Sequence, residues 1–275
     1  MIKLLRIEWM KIKNYNAFIV ISVFFALGVF AANYLAYAFK KNVIDPVDPT
    51  GFLSADAPFG FPKVWQTVSY YSGLMLLLPG LLLLILITNE FTYKTHRQNI
   101  IDGISRIQFT QVKLLMGLLM AVASTILVFI AALIFGFSIT SGIFSFRGVE
   151  NIGYFFLKAL TYNFIAILFG VLIRRTGFAI AVYFIYTVFE NGLSMFLYFL
   201  AIKLKKDHAI DLGNLGNYLP MNAADGLLYS PFSSVTNMAN KFLPADYTWL
   251  VILLSMVYLV LFYFWSEKKM IKSDL

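Results

Sequence analysis

The sequence predicts an all-α integral membrane protein with six transmembrane helices, and three observations carry that prediction. Hydrophobic residues make up 60% of the 275-residue chain and charged ones 13%, where a soluble domain holds about a quarter charged residues. The apolar residues gather into six runs, at about 17–38, 69–88, 114–140, 152–173, 178–200 and 248–266. A hydrocarbon core about 30 Å thick needs about 20 such residues of helix to cross it. The runs are also continuous, whereas barrel strands alternate over about ten residues, and lipid admits only those two architectures. The largest piece between runs, roughly 201–247, is apolar and rich in Gly and Asn, so residues 1–275 read as a single domain.

Each element follows in chain order. Residues 2–13 place Ile2, Leu5, Trp9 and Ile12 on one helical face with Lys3, Arg6 and Lys13 beside it. That pattern predicts an amphipathic helix lying in the interface, or more plainly a basic flank that fixes topology. The first run is expected to be retained, because it exceeds the 7–15 apolar residues of a cleaved leader. A loop follows over 39–68, broken by Pro46, Pro49, Pro58 and Pro62. The second run contains Pro79-Gly80, where a kink is expected. The fourth and fifth runs are joined only by Arg174-Arg175-Thr176-Gly177, which requires a tight hairpin. Between the fifth and sixth runs the chain suits two short re-entrant helices packed back on the bundle, the setting in which such backbone is tolerated.

The formal net charge of +8 is spread over separate loops rather than one stripe, which argues against a nucleic-acid partner. It fits the rule that cytoplasmic loops are basic. With the N-terminus inside, the inner segments hold Lys3, Arg6, Lys11, Lys13, Lys94, Arg97, Arg106, Lys113, Arg174, Arg175, Lys268, Lys269 and Lys272. Most acidic residues fall on the other side. Both termini are therefore expected in the cytoplasm.

Catalytic chemistry is thinly supplied. There is no cysteine, which removes disulfides, thiolate nucleophiles and thiolate metal sites. No phosphate-cradling G-x-x-x-x-G-K-[ST] loop, H-E-x-x-H or G-x-S-x-G occurs. The two histidines, His96 and His208, fall on opposite sides of the expected topology. Glu190, next to Asn191, is the one acidic residue deep in a run. A carboxylate at that depth is either functional or a hydrogen-bonded packing device.

The polar stretch between the second and third runs, Asn89-Glu-Phe-Thr-Tyr-Lys-Thr-His-Arg-Gln98, leads to Gly103-Ile-Ser-Arg-Ile-Gln-Phe109 and Lys113. It resembles the cytoplasmic connection of ABC transporter permeases of the type-2 exporter class. Glu90, Thr95, Arg97, Gly103, Ser105 and Arg106 match that pattern, while Lys94 stands where the family often has Gly. The resemblance extends in outline to six spans, a short fourth–fifth connection and a long excursion before the sixth.

It implies that the connection is a coupling helix docking on a separate ATPase subunit, with Glu90, Phe91, Tyr93, Lys94, Thr95, Arg97, Gly103, Ser105 and Arg106 as the contact set. ATP and Mg²⁺ would bind in that partner, this chain would carry no cofactor, and a second permease, identical or homologous, would complete the path. An amphipathic or lipid-like substrate and a bacterial cell membrane are expected. Two other classes compete. One is a permease-like protein that regulates or anchors a complex without transport. The other is a membrane-embedded lipid enzyme, for which only Glu190, His208 and loop aspartates are on offer.

Overall fold

The computed structural model describes residues 2–47, 58–139, 144–208, 210–231, 244–245 and 247–271. Helix α1 (Ile2–Ile12) precedes α2 (Asn16–Phe39), which continues through a π turn at Lys40–Ile44 into the short α3 (Asp45–Val47). The second span is made of α4 (Val64–Gly73), a 3₁₀ turn at Leu74–Leu76, and α5 (Leu77–Thr92). A short α6 (Thr95–Ile101) leads into α7 (Arg106–Ile139), α8 (Glu150–Ile173) and α9 (Thr176–His208). A 3₁₀ turn at Leu215–Tyr218, the four-residue α10 (Asn222–Asp225) and α11 (Thr248–Ile271) complete the described chain. No strand occurs among the described residues.

Six helices are long and apolar enough to cross a membrane, the shortest having 24 residues, about 36 Å at 1.5 Å per residue. They coincide with the six predicted runs, but α7 begins eight residues before the expected 114 and α9 ends eight after the expected 200. Hydropathy marks only the stretch that lipid requires. Arg106–Lys113 and Ala201–His208 extend the helices because Lys, Gln, Leu and Arg are good helix formers and nothing breaks the chain. The loop expected from residue 39 likewise starts later, since Pro46 sits in the first turn of α3, where its missing N–H is harmless.

Burial identifies the centre. In the second and fourth spans 56% and 61% of the apolar window is buried, against 17–22% in the first, fifth and sixth. Close approach at that centre depends on small residues. A Cβ on Gly80 would lie 2.3 Å from the Tyr183 hydroxyl, and one on Gly117 would lie 2.8 Å from Ile167. Pro79, on the same turn as Gly80, has no N–H to donate back to Met75, and the helix tightens to 3₁₀ over Leu74–Leu76. Polar side chains tie spans together where no water competes. Asn33 donates to Ser72 at 3.0 Å, and Asn163 to the Gly117 carbonyl at 2.9 Å. Outward faces stay apolar, with Leu27, Leu35, Val188 and Trp249 more than 60% exposed, as a lipid solvent permits.

The bundle has two distinct ends. At one, Asn89 donates to the Tyr15 hydroxyl at 2.9 Å and accepts from Thr176 at 3.4 Å. Arg106 donates to the Ile271 carbonyl at 2.9 Å. The α1–α2 turn, α6, the Arg174–Arg175 hairpin and the end of α11 therefore share this end. At the other end the segment 210–231 folds back onto α8, α9 and α11, burying Met221, Ala223, Ala224 and Leu227. The predicted second re-entrant helix falls mostly on 232–243, outside the described residues.

Candidate functional site

The connection between the second and third spans is built by two glycine-like turns around the seven residues, about two helical turns, of α6. At its start Lys94 holds a left-handed backbone (φ 58°). This is the position where the resembled family often has Gly, and a left-handed residue is what the turn needs. Its second turn uses Gly103 (φ 95°) with open space around it. Ser105 then starts α7 with a reciprocal cap. Its hydroxyl accepts from the Gln108 N–H at 3.2 Å, and the Gln108 side chain accepts from the Ser105 N–H at 3.1 Å.

Between these turns, α6 has an inner and an outer face. His96 is buried against Phe91, ring centroids 4.7 Å apart, with Nδ1 3.2 Å from the Glu90 carbonyl. Phe91 is itself buried, and the Arg174 guanidinium lies 5.3 Å over its ring. Burial, with the positive charges of Arg97 and Arg174, holds the His96 imidazole below its ordinary value. Outward lie Tyr93 and Ile101, 75% and 77% exposed, with Lys94, Thr95, Arg97 and Asp102. Arg97 has no ion-pair partner among the described residues. The nine predicted contact residues thus divide. Tyr93, Lys94, Thr95, Arg97, Gly103 and Ser105 are exposed, Arg106 is half-buried and anchors to α11, and Glu90 and Phe91 are inside.

Glu90, grouped above with charges that meet a partner, is instead engaged internally. Its Oε1 accepts from Lys113 at 2.8 Å and Lys11 at 3.4 Å, and Glu8 accepts from both Lys113 and, at 3.1 Å, Lys11. The Lys113 side chain is 6% exposed, those of Glu8 and Glu90 9% and 11%. Burial raises the Glu8 carboxyl, but Lys113 and Lys11 outweigh it and hold the group below its ordinary value. Burial also lowers Lys11, and Glu90 and Glu8 carry it above its ordinary value. This four-charge cluster clamps α1 onto α5 and α7, directly behind the exposed face of α6. Glu8 and Lys11 were missed as site residues; a carboxylate at i and an ammonium at i+3 in a basic helix was the available signal.

At the other end, Glu190 is 3% exposed and faces protein. Its Oε1 accepts from the N–H of Met221 at 2.5 Å and of Asn222 at 2.9 Å, and from the Asn222 amide at 3.3 Å. It thereby satisfies the open amides at the start of α10. Asn191 takes no part: its amide donates back to the Thr187 carbonyl at 2.8 Å, and the residue faces outward. Nearby, the buried Lys158 lies 3.3 Å from Asp225, whose other oxygen accepts from Tyr162 at 3.0 Å. The position of Lys158 seven residues into an apolar run was the signal that it lies within the span. Among the described residues no group of three or more His, Asp or Glu is placed to hold a metal ion.

A family model described as ABC-2 family transporter protein matches residues 4–201, well over half of the chain. No curated protein matches the sequence. The chain belongs to the ABC-2 transporter family and is a multi-pass membrane permease component of an ABC transporter.

Proposed function

We propose that this ABC-2 permease couples ATP hydrolysis in a separate subunit to movement of an amphipathic or lipid-like substrate, with α6 as the contact. ABC-2 permeases work in general with an ABC ATPase. The observation that carries the assignment is the outer face of α6. Tyr93, Arg97 and Ile101 stand exposed, without an ion-pair partner among the described residues, beside a base anchored by buried charges. Aromatic and Arg side chains are the usual anchors of a protein interface. Behind them Glu90 and Phe91 lie on α5, in the second, heavily buried span, so force on α6 reaches the bundle centre. A closing ATPase dimer that prefers one orientation of α6 shifts the permease between its two states, as differential affinity requires.

A second permease, identical or homologous, would complete the path, in a bacterial cell membrane with the α6 end cytoplasmic. An apolar cleft of about 290 Å³ between α2, α5 and α7, lined by Phe18, Phe25, Pro79, Leu82, Met120 and Leu127, suits an acyl chain. Nucleotide and Mg²⁺ belong to the partner, and this chain is not itself an enzyme. The competing reading, a regulator or anchor that moves nothing, predicts no substrate-stimulated hydrolysis in liposomes.

Arg97→Glu should weaken co-purification of the ATPase about tenfold while leaving thermal stability unchanged. A single cysteine at Ile101 should react only with cytoplasmic reagent and cross-link to the ATPase. Full coupled activity of Arg97→Glu with no cross-link from position 101 would remove α6 as the coupling element.

A further inference from the structure

A groove of about 590 Å³ runs along α11, with Tyr258 and Pro220 at one end, Leu261 and Trp265 along its floor, and Lys268 and Lys269 at the other end. That volume falls within the range of small-molecule sites. The α11 residues are spaced three, four and seven apart, so one helical stripe carries them all. Both lysines are exposed, and neither has an ion-pair partner among the described residues. Their acidic neighbour Glu267 is turned to Gln111, from which it accepts at 3.0 Å. At the opposite end Tyr258 gives its hydroxyl to the Tyr218 carbonyl at 2.7 Å, and Pro220 has no N–H to offer. The groove is therefore charged at one end and apolar along the rest.

We propose that it holds an anionic phospholipid, with the phosphate on Lys268 and Lys269 and one acyl chain lying along the stripe toward Pro220. Charge selects the headgroup, because two ammonium groups without a protein partner stand together at the same spot. Length selects a lipid. Ten residues separate Tyr258 from Lys268, about 15 Å of helix, which is half of a hydrocarbon core about 30 Å thick. The groove is thus one leaflet deep. Its charged end lies where α11 finishes and Arg106 meets the Ile271 carbonyl, at the level of headgroups. Trp265, 56% exposed and one turn from the lysines, has the amphipathic ring that favours that level. A second copy of the chain suits this face less well. A two-fold axis along the membrane normal would bring both lysine pairs to the same depth, where like charges repel. A seated lipid would reach from the folded-back segment 210–231 to the helix end that holds Arg106, bracing one against the other.

Photocross-linking of the full-length protein in bilayers reads the site directly. Phosphatidylglycerol or phosphatidylcholine with a diazirine in its acyl chain is mixed at the same low fraction into phosphatidylethanolamine vesicles, and labelled peptides are mapped by mass spectrometry. Label on residues 258–265 should be about thirtyfold greater from phosphatidylglycerol, the worth of two lysines facing an anionic headgroup. Leu27 and Val188, exposed on other helices, should take label equally from both lipids. Lys268→Gln combined with Lys269→Gln should bring the ratio at 258–265 close to one. Leu261→Trp fills the floor and leaves the lysines in place, so phosphatidylglycerol should label less there and unchanged elsewhere. Equal labelling of 258–265 by the two lipids, or a ratio unmoved by the double lysine variant, overturns the proposal. A disulfide between two copies of the Trp265→Cys variant would overturn it as well and give the face to a second permease.

Discussion

Lys113→Met tests whether the buried charges hold α1 in place. Methionine keeps the length and most of the volume of the lysine stem, so no large cavity opens and the change isolates the charge. In the folded variant Glu8 and Glu90 stay buried, with only Lys11 to face them at 3.1 and 3.4 Å. At 2.8 Å the lost Lys113–Glu90 attraction is about 6 kcal/mol gross at an effective dielectric of about 20. Part of that is returned because the ammonium no longer has to be desolvated. Removing one partner of a buried pair costs about 3–5 kcal/mol in practice, which sits below the gross figure as it should. Because the side chains concerned are 6–11% exposed, water screens little of it. The readout is amide exchange over residues 3–12, which should accelerate by at least about a hundredfold, since each 1.4 kcal/mol is about tenfold. Glu8→Gln added to Lys113→Met removes one of the stranded charges and should restore roughly half of the loss. Exchange within about threefold of the parent in Lys113→Met would refute the reasoning and leave α1 held by apolar contacts alone, such as Trp9 on Phe18 and buried Ile12.

Two further outcomes follow from the same geometry. Glu190→Gln retains an oxygen that can accept from Met221 and Asn222, so transport and fold should persist, whereas Glu190→Ala should destabilise segment 215–228 by about 1–3 kcal/mol. Limited proteolysis distinguishes the two, and loss of transport by a folded Glu190→Gln would move the residue from packing to chemistry. His96 gives a pH dependence. With its folded value below the ordinary 6.5, the unfolded form takes up the proton first, so the stability it lends is full above that value and lost on acidification. Exchange over residues 93–101 should therefore rise between about pH 7 and pH 5, and His96→Phe, which keeps the ring packing, should flatten the profile. A wild-type profile already flat over that range would show that His96 does not hold α6.

The helices themselves were legible in the sequence, because lipid imposes a local rule. Any stretch that crosses must be apolar for about 20 residues, whatever its neighbours. The six runs and the hairpin at Arg174–Arg175 obey it. The turn at Gly103 and the helix start at Ser105 are equally local, since both residues act on their own backbone, whereas the left-handed Lys94 was not foreseen.

What sequence could not give was which charges face inward. Lys113 and Glu90 are 23 residues apart, and Glu8 and Lys113 105 apart. Lys158 meets Asp225 across two helices and a loop. Each pairing depends on how far one helix is rotated about its axis and on which neighbour it packs against. A rotation of a quarter turn would have sent Glu90 outward to a partner, with the hydropathy of the chain unchanged. Only the packing of α5 against α2, α8 and α9, with Lys11 of α1 and Lys113 of α7 within reach, turned it in, because a buried carboxylate is stable only where an ammonium and hydrogen bonds are already in place.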